Sequence, residues 1–378
     1  MFSVRTLGNN RKFMLFIIVV LVVGIYAIYL NKYNPVIQNL FAVVLKEQMV
    51  QSSLTIEFDS STNHDIGIYK DSVVLCSKDG VRAVNKKGEE EWTVSLTLSK
   101  PFLEISHKYI LVADKGGREV HVITNSSVLC TIRTDTPIIS ANINSAGYLA
   151  VITEEKGYKG KITVYDVNSQ GQEIYKWYSG QNYITDVAIS KDNKHMVVST
   201  IDTSKGRVSG GLVFFNFSQD KPYAGVVKED TLITNLKFFK DNMLVALGDN
   251  QVLGFSLEGE EQWSHNYEGK LLQTFHLNEE GMIGLALKED SNRSLVRILN
   301  YKGEVKGTKE VNGVVKYIHV GDKFIAINNK RNISLITHRG EDVAEAAANR
   351  DVQNILLFEN NKEILVVSRN CADILELK

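Results

Sequence analysis

The sequence predicts an all-β protein: an eight-bladed β-propeller of four-stranded antiparallel blades, with seven blades as the alternative count, preceded by one N-terminal transmembrane helix. Three observations predict it. The stretch Phe13 to Leu30 is apolar and uncharged. Beyond residue 50 the chain turns to short runs of β-branched and alternating apolar residues punctuated by Gly, Asn and Asp, which is how successive antiparallel strands read. These runs group into units that recur at about 35 to 50 residues, the period of a propeller blade.

Composition sets the outer bounds. With 378 residues, 44% hydrophobic and 23% charged, the chain can bury a substantial core and matches globular proteins rather than disordered or fibrous ones. Its 43 basic and 44 acidic residues interleave to a net charge of -1, so no basic stripe exists to capture a nucleic acid backbone. The cysteines are Cys76, Cys130 and Cys371. An odd number with no CxxC pair speaks against a disulfide framework or a thiolate zinc site, and all three read as small buried hydrophobes.

Residues 1–12 form a short cytoplasmic N-terminus carrying Arg5, Arg11 and Lys12, and residues 13–30 form the transmembrane helix. At 1.5 Å per residue this run just crosses a hydrocarbon core of roughly 30 Å. Lys32 stands alone after it, so the positive-inside bias predicts a type II topology with everything beyond Leu30 extracytoplasmic. A cleaved signal peptide is disfavoured because the run exceeds a signal h-region and Tyr26 to Tyr33 offers no A-x-A-like cleavage site. Residues 31–50 read as a juxtamembrane stem. Within it Val36, Ile37, Leu40, Phe41, Val44 and Leu45 recur at helical spacing, with Pro35 suited to the first turn.

The propeller is expected over 51–378. The first unit runs 66–70, 72–77, 80–85 and 90–96, with tight turns at Asp79-Gly80 and Lys87-Gly88. The fifth copies it at 233–239, 242–248, 251–257 and 261–267, and comparable units open near Pro101, Pro137, Tyr183, Leu271, Val314 and Asp351. The last unit supplies three strands, 352–358, 363–368 and 372–377. An orphan strand at 53–58 is therefore expected to complete it and close the ring, removing exposed edges that template aggregation.

A Gly before the fourth strand is followed four residues later by a large aromatic in Gly88/Trp92, Gly171/Tyr175 and Gly259/Trp263. The Gly permits the positive φ of a tight hairpin, and the aromatic is placed to cover the seam between blades. Gly303 and Gly340 keep the turn, but Gly307 and Ala344 replace the aromatic. This Gly-x-x-x-Trp turn, in Lys87-Gly88-Glu89-Glu90-Glu91-Trp92 and Glu258-Gly259-Glu260-Glu261-Gln262-Trp263, resembles the PQQ-like (quinoprotein-type) propeller repeat. A WD40-like grouping is compatible with it, although WD40 signatures are absent. The anchored arrangement resembles uncharacterised membrane-bound propellers of clostridia-type Gram-positive bacteria.

The resemblance raises the possibility of quinone chemistry. The adjacent cysteines that many quinoproteins place over the quinone are missing, and no Asp, Glu and Asn constellation for a companion calcium ion is evident. No cofactor, metal or catalytic residue is therefore assigned. The eight histidines are scattered without an H-x-x-E-H or H-E-x-x-H pair, and neither a G-x-S-x-G elbow nor a Walker loop occurs. They read as surface or strand-packing residues.

The longest connections between second and third strands are 154–161, 202–211 and 288–294, in blades three, four and six. They supply the candidate interaction residues Glu154, Lys156, Lys159, Asp202, Lys205, Arg207, Glu289 and Arg293. The anchor enters at the start of the closing outer strand, so these loops are expected to point away from the membrane. The functional expectation is a non-catalytic scaffold that docks a protein or cell-envelope partner there. The alternatives are a small-molecule sensor binding in the central channel and a hydrolase or lyase using channel carboxylates, with Glu104 and Asp186 as the residues to test.

Overall fold

The computed structural model describes residues 47–59, 64–204 and 208–377, with side chains from Leu54 onward. Eight four-stranded antiparallel units follow one another around a ring. The first comprises strands Asp65–Tyr69, Ser72–Ser77, Gly80–Val84 and Glu90–Ser95, within a residue or so of the sequence-predicted boundaries. Blades two to seven occupy 101–133, 138–179, 183–228, 233–266, 271–312 and 317–347.

Blade eight takes strands Asn354–Leu357, Glu363–Val367 and Cys371–Leu377 from the end of the chain and its outer strand from Glu47–Glu57. Thr55 pairs with Asp373, Ile56 with Ala372 and Glu57 with Cys371. The Thr55 hydroxyl also donates to the Asp373 carboxylate at 2.6 Å. This strand begins at Glu47, four residues before the expected propeller boundary, so residues 47–50 are strand where a helical stem was expected. Its other edge is hydrogen-bonded to the outer strand of blade seven, Asp342–Ala347. Among the described residues no helix is long and apolar enough to cross a membrane. The segment 13–30 and the rest of the stem lie outside the described residues.

The core lies mostly between blades. Ile56, Phe358, Leu365 and Ile374 of blade eight pack with Ile66, Val73 and Leu75 of blade one, and Ala150, Ile162 and Tyr175 of blade three with Val187, Met196 and Phe215 of blade four. Middle strands are buried on both faces and read as near-continuous apolar runs, such as Ser72–Ser77. Outer strands alternate, as in the exposed and half-buried residues of Glu261–Asn266.

The Gly-x-x-x-aromatic repeat proves to have two working ends. Gly88, Gly171, Gly259, Gly303 and Gly340 all adopt φ between +75° and +85°, which only Gly takes at no steric cost. Each also leaves room for the preceding blade. A Cβ on Gly171 would lie 2.4 Å from the Ile132 side chain, one on Gly88 2.8 Å from Leu54, and one on Gly303 2.5 Å from the Trp263 indole. The aromatic reaches the next blade: the Trp263 Nε1–H donates to the Tyr301 carbonyl at 3.1 Å, and the Tyr175 hydroxyl to the Gln219 carbonyl at 3.0 Å. Where the aromatic is missing, Gly307 instead admits the backbone of Arg339, whose carbonyl carbon lies 2.4 Å from where its Cβ would be.

Candidate functional site

Strand direction sorts the surface into two faces. Inner strands start, and outer strands end, on the face that carries the second-to-third-strand loops and the blade-to-blade connections; the other face carries the hairpin turns. Twelve large apolar side chains are exposed among the described residues. Val128, Leu129, Tyr223 and Val305 lie near turns between third and outer strands, on the turn face. Ile139, Tyr158, Tyr178, Tyr183, Val208, Val227, Leu271 and Val314 lie on the loop face or at its rim.

Most of that apolar surface gathers on blades three and four. Tyr158 and Tyr178 pack at 5.0 Å between ring centroids. The Lys159 ammonium lies 4.6 Å above the Tyr183 ring centroid and donates to the hydroxyl of the same tyrosine at 3.1 Å. Beside them a groove of about 350 Å³ is lined by Asn182, Thr200, Asp202, Val208, Val227 and the carboxylates of Glu229 and Asp230, with Gly210 and Gly211 in its floor. Val227 is 70% exposed and Val208 50%. Gly210 is needed there because a Cβ would stand 2.2 Å from the Thr231 carbonyl.

The sequence-predicted interaction residues divide accordingly. Lys159 and Asp202 belong to this surface. Glu154 and Lys156 are exposed on the same blade-three loop. Glu289 and Arg293 lie two blades away and are tied into local ion pairs, Glu289 with Lys270 at 3.6 Å and Arg293 with Asp290 at 2.8 Å. Lys205 and Arg207 lie outside the described residues. Strand structure takes up the ends of the expected loops, since third strands start at Gly160, Ser209 and Arg293. Sequence reasoning followed the charged residues and passed over the tyrosines and valines between them; Tyr158 and Val208 sit within the two loops it singled out.

The channel is the second feature. Inner strands have a free edge towards the axis and the next blade, so their N–H groups need acceptors from outside the ladder. Side chains of neighbouring inner strands supply them in a repeating pattern. Asp65 accepts from the Leu103 N–H at 2.9 Å and Asp186 from Leu236 at 2.7 Å. Two residues nearer the turn face, Glu104 accepts from Ile143, the His276 Nδ1 from Val320 at 3.1 Å and the His319 Nδ1 from Leu357 at 3.2 Å. Each bond clips one blade to the following one. His276 and His319 pack between neighbouring inner strands, their rings lying against one another at 4.1 Å, and each also makes a blade-to-blade hydrogen bond.

Burial, reinforced by the charge of Asp186, pushes Glu104 up to about 8. Burial likewise pushes Asp186 up to about 7 against two backbone hydrogen bonds. Both stay partly accessible along the axis while protein surrounds them. The same burial drives His319 down to about 4 and His276 well below its ordinary range, with Lys237 adding to both. Glu279 at the turn-side mouth is held below its ordinary value: burial opposes ionisation, but the Lys237 ammonium at 2.7 Å outweighs it. The carboxylates anticipated from sequence do converge, yet Glu104, Asp65 and Asp186 all serve as interblade acceptors. Among the described residues no group of three or more His, Cys, Asp or Glu side chains is arranged to hold a metal ion.

Eight four-stranded antiparallel blades, the last completed by the strand Glu47–Glu57, define the class: an eight-bladed β-propeller. The chain belongs to the DUF5711 family, a family of unknown function, whose sequence profile matches residues 44–377. No curated protein matches it in sequence. Among solved structures it is similar to the C-terminal WD40 domain of Sif2, at 11% identity and a TM-score of 0.65, covering 88% of this chain and 99% of that one. It is also similar to BamB from Moraxella catarrhalis, at 13% identity and a TM-score of 0.52, covering 87% and 100%. A third similar structure is KlHsv2 with loop 6CD replaced by a Gly-Ser linker, at 11% identity and a TM-score of 0.53, covering 73% and 92%. At these identities the likeness establishes the propeller fold and leaves the activity open.

Proposed function

We propose that this protein is a membrane-anchored extracytoplasmic scaffold that docks a protein partner on the loop face of blades three and four. The observation that carries the reading is the concentration of exposed aromatic and aliphatic side chains on that one face, beside a groove rimmed by Asp202, Glu229 and Asp230. Exposed apolar surface with a polar rim marks interaction sites, and Tyr is enriched in interface cores because it combines contact area with a polar tip. The partner that fits presents apolar side chains flanked by Lys or Arg. The propeller folds of Sif2 and BamB support a scaffold over an enzyme only as a matter of fold class.

The membrane attachment in this proposal rests on the apolar, uncharged run at residues 13–30. The test replaces Tyr183 and Val227 by Asp in the full chain and compares in-membrane crosslinking with a matched pair on the turn face, Val128 and Val305. Loss of one defined crosslinked species with the first pair, and its retention with the second, is the expected result. Equal retention in both sinks the reading.

A further inference from the structure

The fold sorts the charges of the loop face into two arcs. One arc runs from the connection entering blade seven, through blades eight and one, to the second-to-third-strand loop of blade two. Lys316 lies on that first connection, Lys330 and Arg331 on the loop of blade seven, Arg350 on the connection to blade eight and Arg369 on that blade's loop. Blade one adds Lys78, the connection to blade two Lys100, and the loop of blade two Lys115 and Arg118. All are exposed. The acids on the same loops and connections are Asp59, Asp79 and Asp351. The opposite arc reverses the sign with Glu154, Glu155, Glu229, Asp230, Glu289 and Asp290. In sequence the two signs interleave because the basic blades hold their acids elsewhere. Asp71, Glu90 and Glu91 of blade one, and Asp322, Glu341 and Glu345 of blade seven, lie on turns or outer strands.

The basic arc is fixed in place and lightly neutralised. Backbone hydrogen bonds lace its loops together: the Leu98 N–H donates to the Lys78 carbonyl at 2.8 Å, Lys115 to Lys100 at 3.0 Å, Ala348 to Arg331 at 2.6 Å and Phe58 to Asn370 at 3.0 Å. The buried Asn328 joins two of the cations, its carbonyl accepting from the Lys316 N–H at 2.9 Å and its Nδ2 donating to the Lys330 carbonyl at 2.8 Å. Arg331 is paired with Asp351 at 3.0 Å, and Arg350 lies 3.9 Å from Asp373. Lys78, Lys100, Arg118, Lys316, Lys330 and Arg369 form no ion pair among the described residues, whereas elsewhere Lys86, Lys237 and Lys270 each meet a carboxylate. Like charges held on fixed loops repel one another, and a polyvalent anion relieves that repulsion.

We propose that this arc binds a linear phosphate polymer, a chain of phosphates or phosphodiesters that follows the rim from blade seven to blade two. Three features select this partner. Of the large apolar side chains exposed among the described residues, only Val314 lies on the arc, so an acidic protein finds no apolar core to bury there. None of the exposed aromatic side chains lies on it, so the bases of a single-stranded nucleic acid have nothing to stack on. A flat anionic membrane laid across the loop face meets the carboxylates of the opposite arc as well, whereas a flexible chain tracks the cations alone. The arc lies away from the docking surface on blades three and four, so either can fail without the other.

Isothermal titration of the purified full chain with long-chain inorganic polyphosphate, and with poly-L-glutamate and oligodeoxythymidine of matching total charge, tests it. Polyphosphate is expected to bind saturably, its log affinity falling linearly with log salt. Poly-L-glutamate is expected to bind at least about tenfold more weakly, because each of its charges sits on a side chain that must be ordered. Oligodeoxythymidine is expected to be weaker too, its bases spacing the charges apart without a stacking surface to reward them. Lys100→Glu combined with Arg369→Glu is expected to weaken polyphosphate at least about tenfold and to lower the salt slope by about two. Lys87→Glu combined with Lys302→Glu, both exposed on the turn face, alters net charge equally and is expected to leave the affinity within about twofold. Thermal midpoints near the parent's are expected for both double variants. Absence of polyphosphate binding at low salt, equal or tighter binding of either reference polymer, or equal losses in the two double variants overturns the assignment.

Discussion

Replacing Trp263 by Ala tests the seam logic most quantitatively. The indole is wedged between Gly254 of its own blade, where a Cβ would lie 2.1 Å from Nε1, and Gly303 of the next, where it would lie 2.5 Å from Cδ2. Its N–H donates to the Tyr301 carbonyl, and it packs on the cluster that joins Val245, Leu247 and Val252 of blade five with Ile283, Leu285 and Leu299 of blade six. A fully buried Trp→Ala change costs about 3–5 kcal/mol. Trp263 is half-buried, which puts the expected loss near 3 kcal/mol, of which about 1 kcal/mol belongs to the hydrogen bond. Trp263→Phe keeps an aromatic face against both glycines and is expected to lose about 1 kcal/mol. The assay is equilibrium denaturant unfolding of the three proteins followed by circular dichroism. A loss below about 1 kcal/mol for the Ala variant, or equal losses for Ala and Phe, refutes the claim that this residue fastens blade five to blade six.

Further expectations follow from closure, turn geometry and titration. Ile56→Asp places a charge in the interface of blades eight and one, where Ile56 is 5% exposed. It is expected to cost about 3 kcal/mol or more and to expose strand edges, seen as oligomers in size-exclusion chromatography. Gly303→Ala meets both a φ of +79° and the Trp263 ring, and is expected to cost more than about 1 kcal/mol in the same unfolding assay. Glu104 has a folded-state value raised from 4.5 to about 8. Its neutral form therefore favours the fold, fully below pH 4.5, and that contribution fades as pH rises through about 8. Glu104→Gln is accordingly expected to gain stability relative to the parent as pH climbs from 5 to 9, measured as the difference in thermal midpoint; a flat difference across that range contradicts the burial of its charge.

The ring itself was legible because its determinants are local and repeated. A Gly at positive φ and an aromatic four residues on mark each seam in Gly88/Trp92 and Gly259/Trp263, and three strands after residue 351 leave one vacancy for the orphan strand. The start of that strand was not legible. Residues 47–50, Glu-Gln-Met-Val, carry no period that separates the end of a helix from a strand whose partner, Cys371–Leu377, lies at the far end of the chain. The docking surface was half legible. Val226 and Val227 look alike in sequence, yet the first is half-buried and the second is 70% exposed, a difference fixed by which side of the outer strand meets the blade. Glu104 and Asp186 stood out as carboxylates near first strands. His276 and His319, 43 residues apart in sequence, become a stacked pair only when blades six and seven close against each other.

The central claim is that the loop face of blades three and four receives a protein partner. A photo-crosslinking residue placed in turn at Tyr183, Val227, Val128 and Val305 of the full chain, expressed in intact cells, measures this directly. The account predicts one discrete adduct from Tyr183 and Val227, lost when Glu229 and Asp230 are both changed to Lys, and none from Val128 or Val305. An adduct of equal yield from the turn-face positions, or one indifferent to the charge reversal, contradicts it.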